Sequence, residues 1–325
     1  MPKMQDAHID RALTNMSVAY LQDASAFIAD KVFPIVPVKR QSDVFYTYNK
    51  GDFMRDEAQV RGAGTESAGG DYGVEASTPY YCRKHAFHKD VTEEERVNYD
   101  DPLNADHDAT DFVSQKMLIR REMAWASKFF IAGIWGTEIA GVAADAAENQ
   151  AIQWNQATST PIADVTNAAV KMASATGYKP NTLVLSPFAF NALKNHEDIL
   201  DRIKYTQKGI VTEDLLATLF GVDRVFVAWS VVNSAAKGAT DAVDFIYGKH
   251  ALLCYSAPRP ALRKPSAGYV FAWTGLEGAG AYGNRIVRLP MDQLGLGTER
   301  IEGEIAFDVK QVCADLGVFF KDIVA

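Results

Sequence analysis

Ala29-Asp30-Lys31-Val32-Phe33-Pro34-Ile35-Val36-Pro37-Val38 is an apolar run held open by two prolines three residues apart. Each proline removes a backbone donor and keeps the residue before it extended. Val32, Phe33, Ile35, Val36 and Val38 therefore sit on a segment that cannot easily form a central strand. They must lie against something apolar, either a neighbouring chain or the segment's own domain. Just upstream, Leu21 to Ile28 is a short amphipathic stretch, and the run after it reads as an arm.

Outward from the arm, Val44-Phe45-Tyr46-Thr47-Tyr48 is a strand by its β-branched and aromatic content. Residues 49–78 are polar and glycine-rich, and a second strand is expected over Tyr80 to Lys89. A long polar connection of this kind is uncommon inside a compact domain. Two strands around so long a polar excursion predict a hairpin projecting from the body.

Residues from Asp106 to about Trp135 read as one uninterrupted helix, with Asp108 and Thr110 as candidate caps. Its length would be roughly 45 Å. Phe112, Val113, Met117, Met123, Ala124, Phe130, Ile131 and Ile134 form one broad apolar face. Leu118, Trp125 and Phe129 form a second, narrower stripe, which has another layer of the same subunit or a neighbouring chain to meet.

Beyond an alanine-rich link, the rhythm changes. Helices are expected over Asp164 to Thr176, after Ser186-Pro187, and from Thr212 to a stop at Gly221. Strands are expected at Thr182 to Leu185, Val225 to Trp229, Phe245 to Tyr247 and His250 to Tyr255, which makes residues from about 160 to 260 an α/β unit. From Tyr269 the chain reads mainly as strand, and residues 266–325 are expected to return to the unit holding the long helix.

The 325 residues are 48% hydrophobic and 23% charged, the profile of an ordered soluble chain. No apolar run is long enough to cross a bilayer, and the N-terminus has no apolar signal segment, so no membrane role is expected. Cys82, Cys254 and Cys313 are far apart, with no C-x-x-C pair, and read as reduced structural thiols. The net charge is −8 with scattered Lys and Arg. That argues against a sequence-specific reader of nucleic acid, though not against a protein that encloses it.

Motifs for catalysis fail on inspection. Gly278-Ala279-Gly280-Ala281-Tyr282-Gly283 has dinucleotide-loop spacing, but the β-rich Asn284 to Leu289 and then Pro290 follow, where a helix N-terminus is required. Arg61-Gly62-Ala63-Gly64-Thr65 lacks the Gly-Lys-Ser/Thr ending of a phosphate loop. His85 and His88, with Glu93 to Glu95 nearby, suggest a metal-dependent hydrolase, but residues three apart on a strand face opposite ways. His196-Glu197 lacks a second histidine, and no nucleophile elbow is present. The expectation is a protein that is not an enzyme and holds no cofactor or metal.

A proline-punctuated arm, a projecting hairpin, a long helix, a central α/β unit and a terminal strand set together resemble the major capsid protein of tailed bacteriophages. The points that carry the resemblance are residues 29–38 with Val44 to Tyr48, and Asn181-Thr182-Leu183-Val184-Leu185-Ser186-Pro187 with its helix. It implies an α+β, HK97-like capsid fold. The arm would be residues 1–43, the extended loop 44–90 and a peripheral domain 91–160 with a spine helix near 106–135. An axial domain would span 161–265, and 266–325 would be return strands. It further implies a subunit of an icosahedral virion capsid, assembled in the host cytoplasm as pentamers and hexamers around double-stranded DNA. A portal is implied, with a scaffolding protein that is separate because only about forty residues precede the loop. An encapsulin-like compartment shares this fold and is the alternative. Candidate contacts between subunits are Phe33, Pro34, Ile35, Val36 and Pro37 on the arm, Arg55, Arg61 and Glu66 on the loop, and Leu118, Trp125 and Phe129 on the helix. A chain lacking residues 1–40 is expected to fold yet fail to close shells.

Overall fold

In the computed structural model, which describes residues 21–99, 104–203, 211–261 and 264–325, the proline run becomes strand β1 (Ile35–Val38). There follow β2 (Ser42–Tyr48), α1 (Lys50–Met54), β3 (Val74–Tyr81), β4 (Arg83–Val91), α2 (Glu93–Asn98) and α3 (Ala105–Phe129). The middle of the chain holds β5 (Thr137–Val142), β6 (Gln150–Ile152), α4 (Pro161–Thr176), β7 (Thr182–Leu185), α5 (Pro187–Lys194), α6 (Glu197–Ile203), α7 (Glu213–Phe220) and β8 (Arg224–Val227). The last part holds β9 (Val231–Asn233), β10 (Val243–Phe245), β11 (Ala251–Cys254), β12 (Gly268–Trp273), β13 (Asn284–Pro290), β14 (Glu299–Gln311) and β15 (Gly317–Lys321).

A six-stranded mixed sheet, ordered β6-β5-β15-β11-β7-β8, separates two apolar layers. Strand periodicity distributes its side chains between them. Leu183, Leu185, Leu253, Val318 and Phe320 pack with α4, α5 and α7. Val184, Leu252, Cys254 and Phe319 point the other way, toward the C-terminal half of α3. Thr182 to Leu185 is apolar at three of four positions and wholly buried because both faces are covered.

A second sheet is built on the 13 residues of β14. Its first half pairs with β4 on one side and β13 on the other, and its second half pairs with β12. β1 then adds in parallel to β12 as an edge strand, so Pro37 meets the sheet where a missing donor is tolerated. The arm thus resolves in favour of its own chain over residues 27–38, while residues 1–20 of the expected arm lie outside the described residues.

α3 is shorter than the sequence predicts. Asn104, rather than Asp108 or Thr110, caps it, accepting from the N–H groups of Asp106 at 3.0 Å and His107 at 3.2 Å. It ends at Phe129, whose carbonyl accepts from Trp135 Nε1 at 2.8 Å. A side chain that turns back to satisfy a C-terminal carbonyl stops the helix there, and Gly133 at φ +91° lets the chain turn.

The expected second hairpin strand is two strands. β2 and β3 form the two-stranded hairpin, but at Cys82 the chain leaves it, and β4 joins β14. Cys82 is fully buried, with its N–H on the Gln41 carbonyl at 2.8 Å. The projecting element is therefore Ser42–Tyr81, not 44–90. The return of 266–325 to the long-helix unit needs correction in its last strand only: β12 and β14 pack against α3, but β15 lies between β5 and β11 in the middle of the six-stranded sheet. β5 and β6, expected within the peripheral 91–160 segment, belong to that same sheet.

Candidate interaction surfaces

The N-terminal segment is gripped by two consecutive residues of α3. Glu122 is fully buried. Its carboxylate accepts from the backbone N–H of Ile28 and of Ala29, both at 3.0 Å, from the Tyr247 hydroxyl at 2.7 Å and from Ser230 Oγ at 3.4 Å. Burial pushes this carboxyl above its ordinary pKa, while the Ile28, Tyr247 and Ala29 donors work in the opposite sense. Arg121 pairs with Asp30 at 3.3 Å. Further along, Ser256 Oγ donates to the Val32 carbonyl at 2.6 Å. Upstream, the Gln22 amide exchanges two 2.9 Å hydrogen bonds with the backbone of Val231.

This grip corrects three of the expected subunit contacts. Phe33, Trp125 and Phe129 are buried within their own chain. Their rings meet each other, at 5.6 Å for Phe33–Trp125, 4.6 Å for Phe33–Phe129 and 5.2 Å for Trp125–Phe129. Two of the three residues of the narrower stripe, Trp125 and Phe129, face the arm of the same subunit. Conversely, Phe112 and Met123 of the broad apolar face are exposed. Pro34, Ile35, Val36 and Leu118 are half-buried, and Pro37, Arg55, Arg61 and Glu66 are exposed.

The hairpin and α1 carry apolar surface to the outside. Tyr46, Phe53, Met54 and Tyr72 are all exposed, Tyr46 by 65%. Tyr48, Phe53 and Tyr72 cluster with ring centroids 5.4 to 6.1 Å apart. Lys50 at the base of α1 is ion-paired with Asp315. Arg55 is paired with Asp52 at 3.5 Å, and Arg61 Nε donates to the Thr65 carbonyl at 2.6 Å. A second exposed aromatic group, Phe188 and Trp229 around Phe245, lies beside the β9–β10 hairpin.

The residues singled out for chemistry fall into structural roles. His85 lies against Phe307 with centroids 5.5 Å apart, and His88 registers opposite Glu302. Among the described residues, no group of three or more His, Cys, Asp or Glu is placed to hold a metal. The turn over 278–283 leads into β13 rather than a helix. Gly283 is at φ +67°, and a Cβ there would lie 2.5 Å from the Ala306 carbonyl oxygen, so this glycine serves a close approach to β14. All three cysteines are free, and burial pushes the Cys82 and Cys254 thiols up to about 12.

One pair escaped the sequence reading. Ser159 Oγ lies 2.9 Å from His196 Nε2, both buried. His196 Nδ1 accepts from the Asp198 N–H at 3.2 Å, and Ser159 Oγ donates to the Gln156 carbonyl at 2.7 Å. These partners put the imidazole proton on Nε2, donating to the serine. A neutral imidazole in that tautomer cannot take the serine proton, so the pair is a structural link rather than a nucleophile and base.

Residues 141–230 match the family described as phage major capsid protein E. The chain is 25% identical over 340 residues to the major capsid protein of Pseudomonas phage JBD67, covering 98% of this chain and 97% of that one. It is 24% identical over 249 residues to the major capsid protein of Burkholderia phage BcepMu, covering 76% of each. Among solved structures, it resembles a phage-related protein from Bordetella bronchiseptica RB50 with a TM-score of 0.70 at 22% identity, over 93% of this chain and 94% of that one. It also resembles the capsid of Cyanophage P-SCSP1u, at a TM-score of 0.60 and 10% identity over 98% and 93% of the two chains. The encapsulin of Synechococcus elongatus PCC 7942 gives a TM-score of 0.56 at 11% identity over 96% and 93%. The fold is HK97-like.

Proposed function

We propose that this chain, a phage major capsid protein of the HK97-like fold, works by associating with copies of itself into an icosahedral shell around viral double-stranded DNA. The observation that carries the reading is the nearly end-to-end likeness to the Pseudomonas phage major capsid protein. It is supported by a hairpin that leaves exposed aromatic rings outside its own chain's cores. Ordering such a segment costs conformational entropy that contacts with a neighbour offset.

In this reading, Ser42–Tyr81 reaches over a neighbour, α3 is the spine of the peripheral domain, and residues 161–265 surround the symmetry axis of pentamers and hexamers. Pro37, Arg55, Arg61 and Glu66 are the exposed candidates among the expected contacts, with Pro34, Ile35, Val36 and Leu118 partly available. The resemblance supports a scaffolding protein and a portal as further partners. It also supports assembly in the host cytoplasm, the virion as the final location and no catalytic role. The encapsulin-like fold keeps a cargo compartment as a second reading, but both curated sequence relatives are phage capsid proteins. His85 and His88 on opposite faces of β4 give the hydrolase alternative no shared site.

The test is negative-stain microscopy of the overexpressed chain beside its size-exclusion mass. Closed particles with icosahedral symmetry are expected, and co-purifying protein cargo in place of nucleic acid would favour the compartment. A chain that stays monomeric at all concentrations, with and without its scaffold, overturns the proposal.

A further inference from the structure

α3 and β4 bring two short rows of side chains side by side. Phe112, Lys116 and Arg120 recur every four residues and share a helix face. Arg83, His85 and Phe87 alternate on the face of β4 turned toward α3. Phe87 meets Phe112 with ring centroids 5.7 Å apart, and Lys116 Nζ stands 5.3 Å from the Phe112 centroid. Val91 packs with Ala105 and Ala109, and Phe87 meets Phe112, so β4 and α3 run antiparallel and Arg83 comes toward the Arg120 end of the helix row; burial and then the charges of Arg120 and Arg83 depress the pKa of His85 between them. Arg83, Lys116 and Arg120 are all exposed.

The charge pattern here is unlike the rest of the sheet. On the opposite face, Lys84 and Arg285 both pair with Glu304, and Arg300 pairs with Asp90. Arg83, Lys116 and Arg120 have no ion-pair partner among the described residues. Lys116 and Arg120 are like charges four apart, an arrangement that destabilises a helix. A chain of net charge −8 thus keeps three mutually repelling cations together. Such a cluster is stabilised by a polyanion brought from outside.

We propose that these two rows are the surface through which the subunit touches the phosphodiester backbone of the enclosed double-stranded DNA, without reading its sequence. This rests on the shell reading and adds which face of the subunit is turned toward the interior. A helix face beside a strand face offers cations without a groove, which suits a charged rod. A bound peptide needs a pocket for an anchoring side chain, and the cavities found around Asp30–Pro37 and around Ile139–Lys171 lie away from both rows. Three phosphate contacts per copy are weak singly, and repetition over a shell makes them count.

The test titrates a fluorescent DNA duplex of about 30 base pairs with the purified full chain, over a salt series. With three phosphates contacted, the logarithm of affinity should fall against that of salt with a slope of about −2.7. Lys116→Glu/Arg120→Glu should weaken binding at least tenfold at low salt and make the slope shallower by about 1.8. Lys179→Glu/Lys237→Glu, the same charge change elsewhere, should leave both nearly unchanged. If the reversal does not fold, Lys116→Gln/Arg120→Gln takes its place. Equal affinity of the α3 variant and the wild type overturns the proposal, as does an equal loss in the control. Tighter binding of polyglutamate than of the duplex, abolished by the same substitutions, assigns the surface to an acidic protein segment instead. Unchanged duplex affinity with shells that no longer close makes it a subunit interface. Microscopy of the wild type tests the shell separately, so failure of that reading cannot be mistaken for failure of this one.

Discussion

The hydroxyl of Tyr247 donates to the carboxylate of Glu122 across 2.7 Å inside the core, tying the loop that precedes β11 to the C-terminal half of α3. The same carboxylate holds the N–H groups of Ile28 and Ala29 and accepts from Ser230 Oγ, so three distant parts of the chain share one acceptor. Glu122→Ala leaves these buried donors unpaired and should lower stability by about 3 kcal/mol. Tyr247→Phe removes one hydrogen bond and should cost about 1 kcal/mol. The double variant should lose less than the sum, because the two act through one contact. Urea unfolding followed by tryptophan fluorescence measures all three, and a Glu122→Ala loss under 0.5 kcal/mol would contradict the role given to it.

Removal of residues 1–40 now carries a different expectation from the one the sequence suggests. Ile28, Ala29, Val32 and Phe33 are buried against α3, so the truncated chain should be insoluble or lack a cooperative thermal transition. Circular dichroism on the 41–325 chain decides it. A sharp melt close to that of the full chain would show that the arm is dispensable for folding.

Acid should loosen the sheet built on β14. The Arg300 guanidinium holds Asp90 below its ordinary value. Burial pushes Glu304 up, but Lys84 and Arg285 outweigh it and hold it below its ordinary value. For carboxyls depressed in the folded state, the stabilisation is complete above the unfolded values near 4. It is lost as pH falls through the folded ones. Stability measured from pH 7 down to pH 3 should therefore fall less steeply at the acid end in Asp90→Asn than in wild type. Parallel curves would mean that the Asp90–Arg300 pair contributes nothing to the pH dependence.

Gly283 and Gly278 both have positive φ, yet they should respond differently to alanine. At Gly278 nothing lies within 4 Å of the added Cβ, so only backbone strain of about 1 kcal/mol is expected. At Gly283 the Cβ also meets the Ala306 carbonyl of β14, and about 3 kcal/mol is expected. Thermal melts of the two variants give the order, and a reversed order would remove the close-approach explanation for the glycine turn.

The exposed rings of the hairpin should matter to the shell and not to the subunit. Phe53→Ser should change subunit stability by no more than about 0.5 kcal/mol while reducing the yield of closed particles. Equal particle yield, read by microscopy, would take the hairpin's aromatic cluster out of the interface.

Local punctuation was the most legible part of this chain. Ser186 caps α5 with Pro187 behind it, Thr212 caps α7, and Gly221 ends it in the left-handed region, each where the sequence places it. The faces of α3 were not legible in the same way. Leu118, Glu122, Trp125 and Phe129 share one side of the helix, and the acidic member hid the fact that this side is the buried one. The donors that make a buried glutamate tolerable come from positions more than ninety residues away, so nothing local to the helix announces them. Cys82 illustrates the same limit. The continuous strand pattern around it has no turn residue, and only the tertiary partners Gln41 and Phe271 show that the chain changes sheets there.

Strand β15 lies between β5 and β11, and its residues are the last to enter the six-stranded sheet. Among the described residues, β6 and β5 on one side, and β11, β7 and β8 on the other, are joined in the sheet only through it. While the chain is still on the ribosome, the two halves of the sheet are separate fragments waiting for a shared neighbour. Completion of the sheet is therefore delayed until translation has passed residue 321. A chain cut short before β15 lacks the strand that joins the halves and cannot complete the six-stranded sheet.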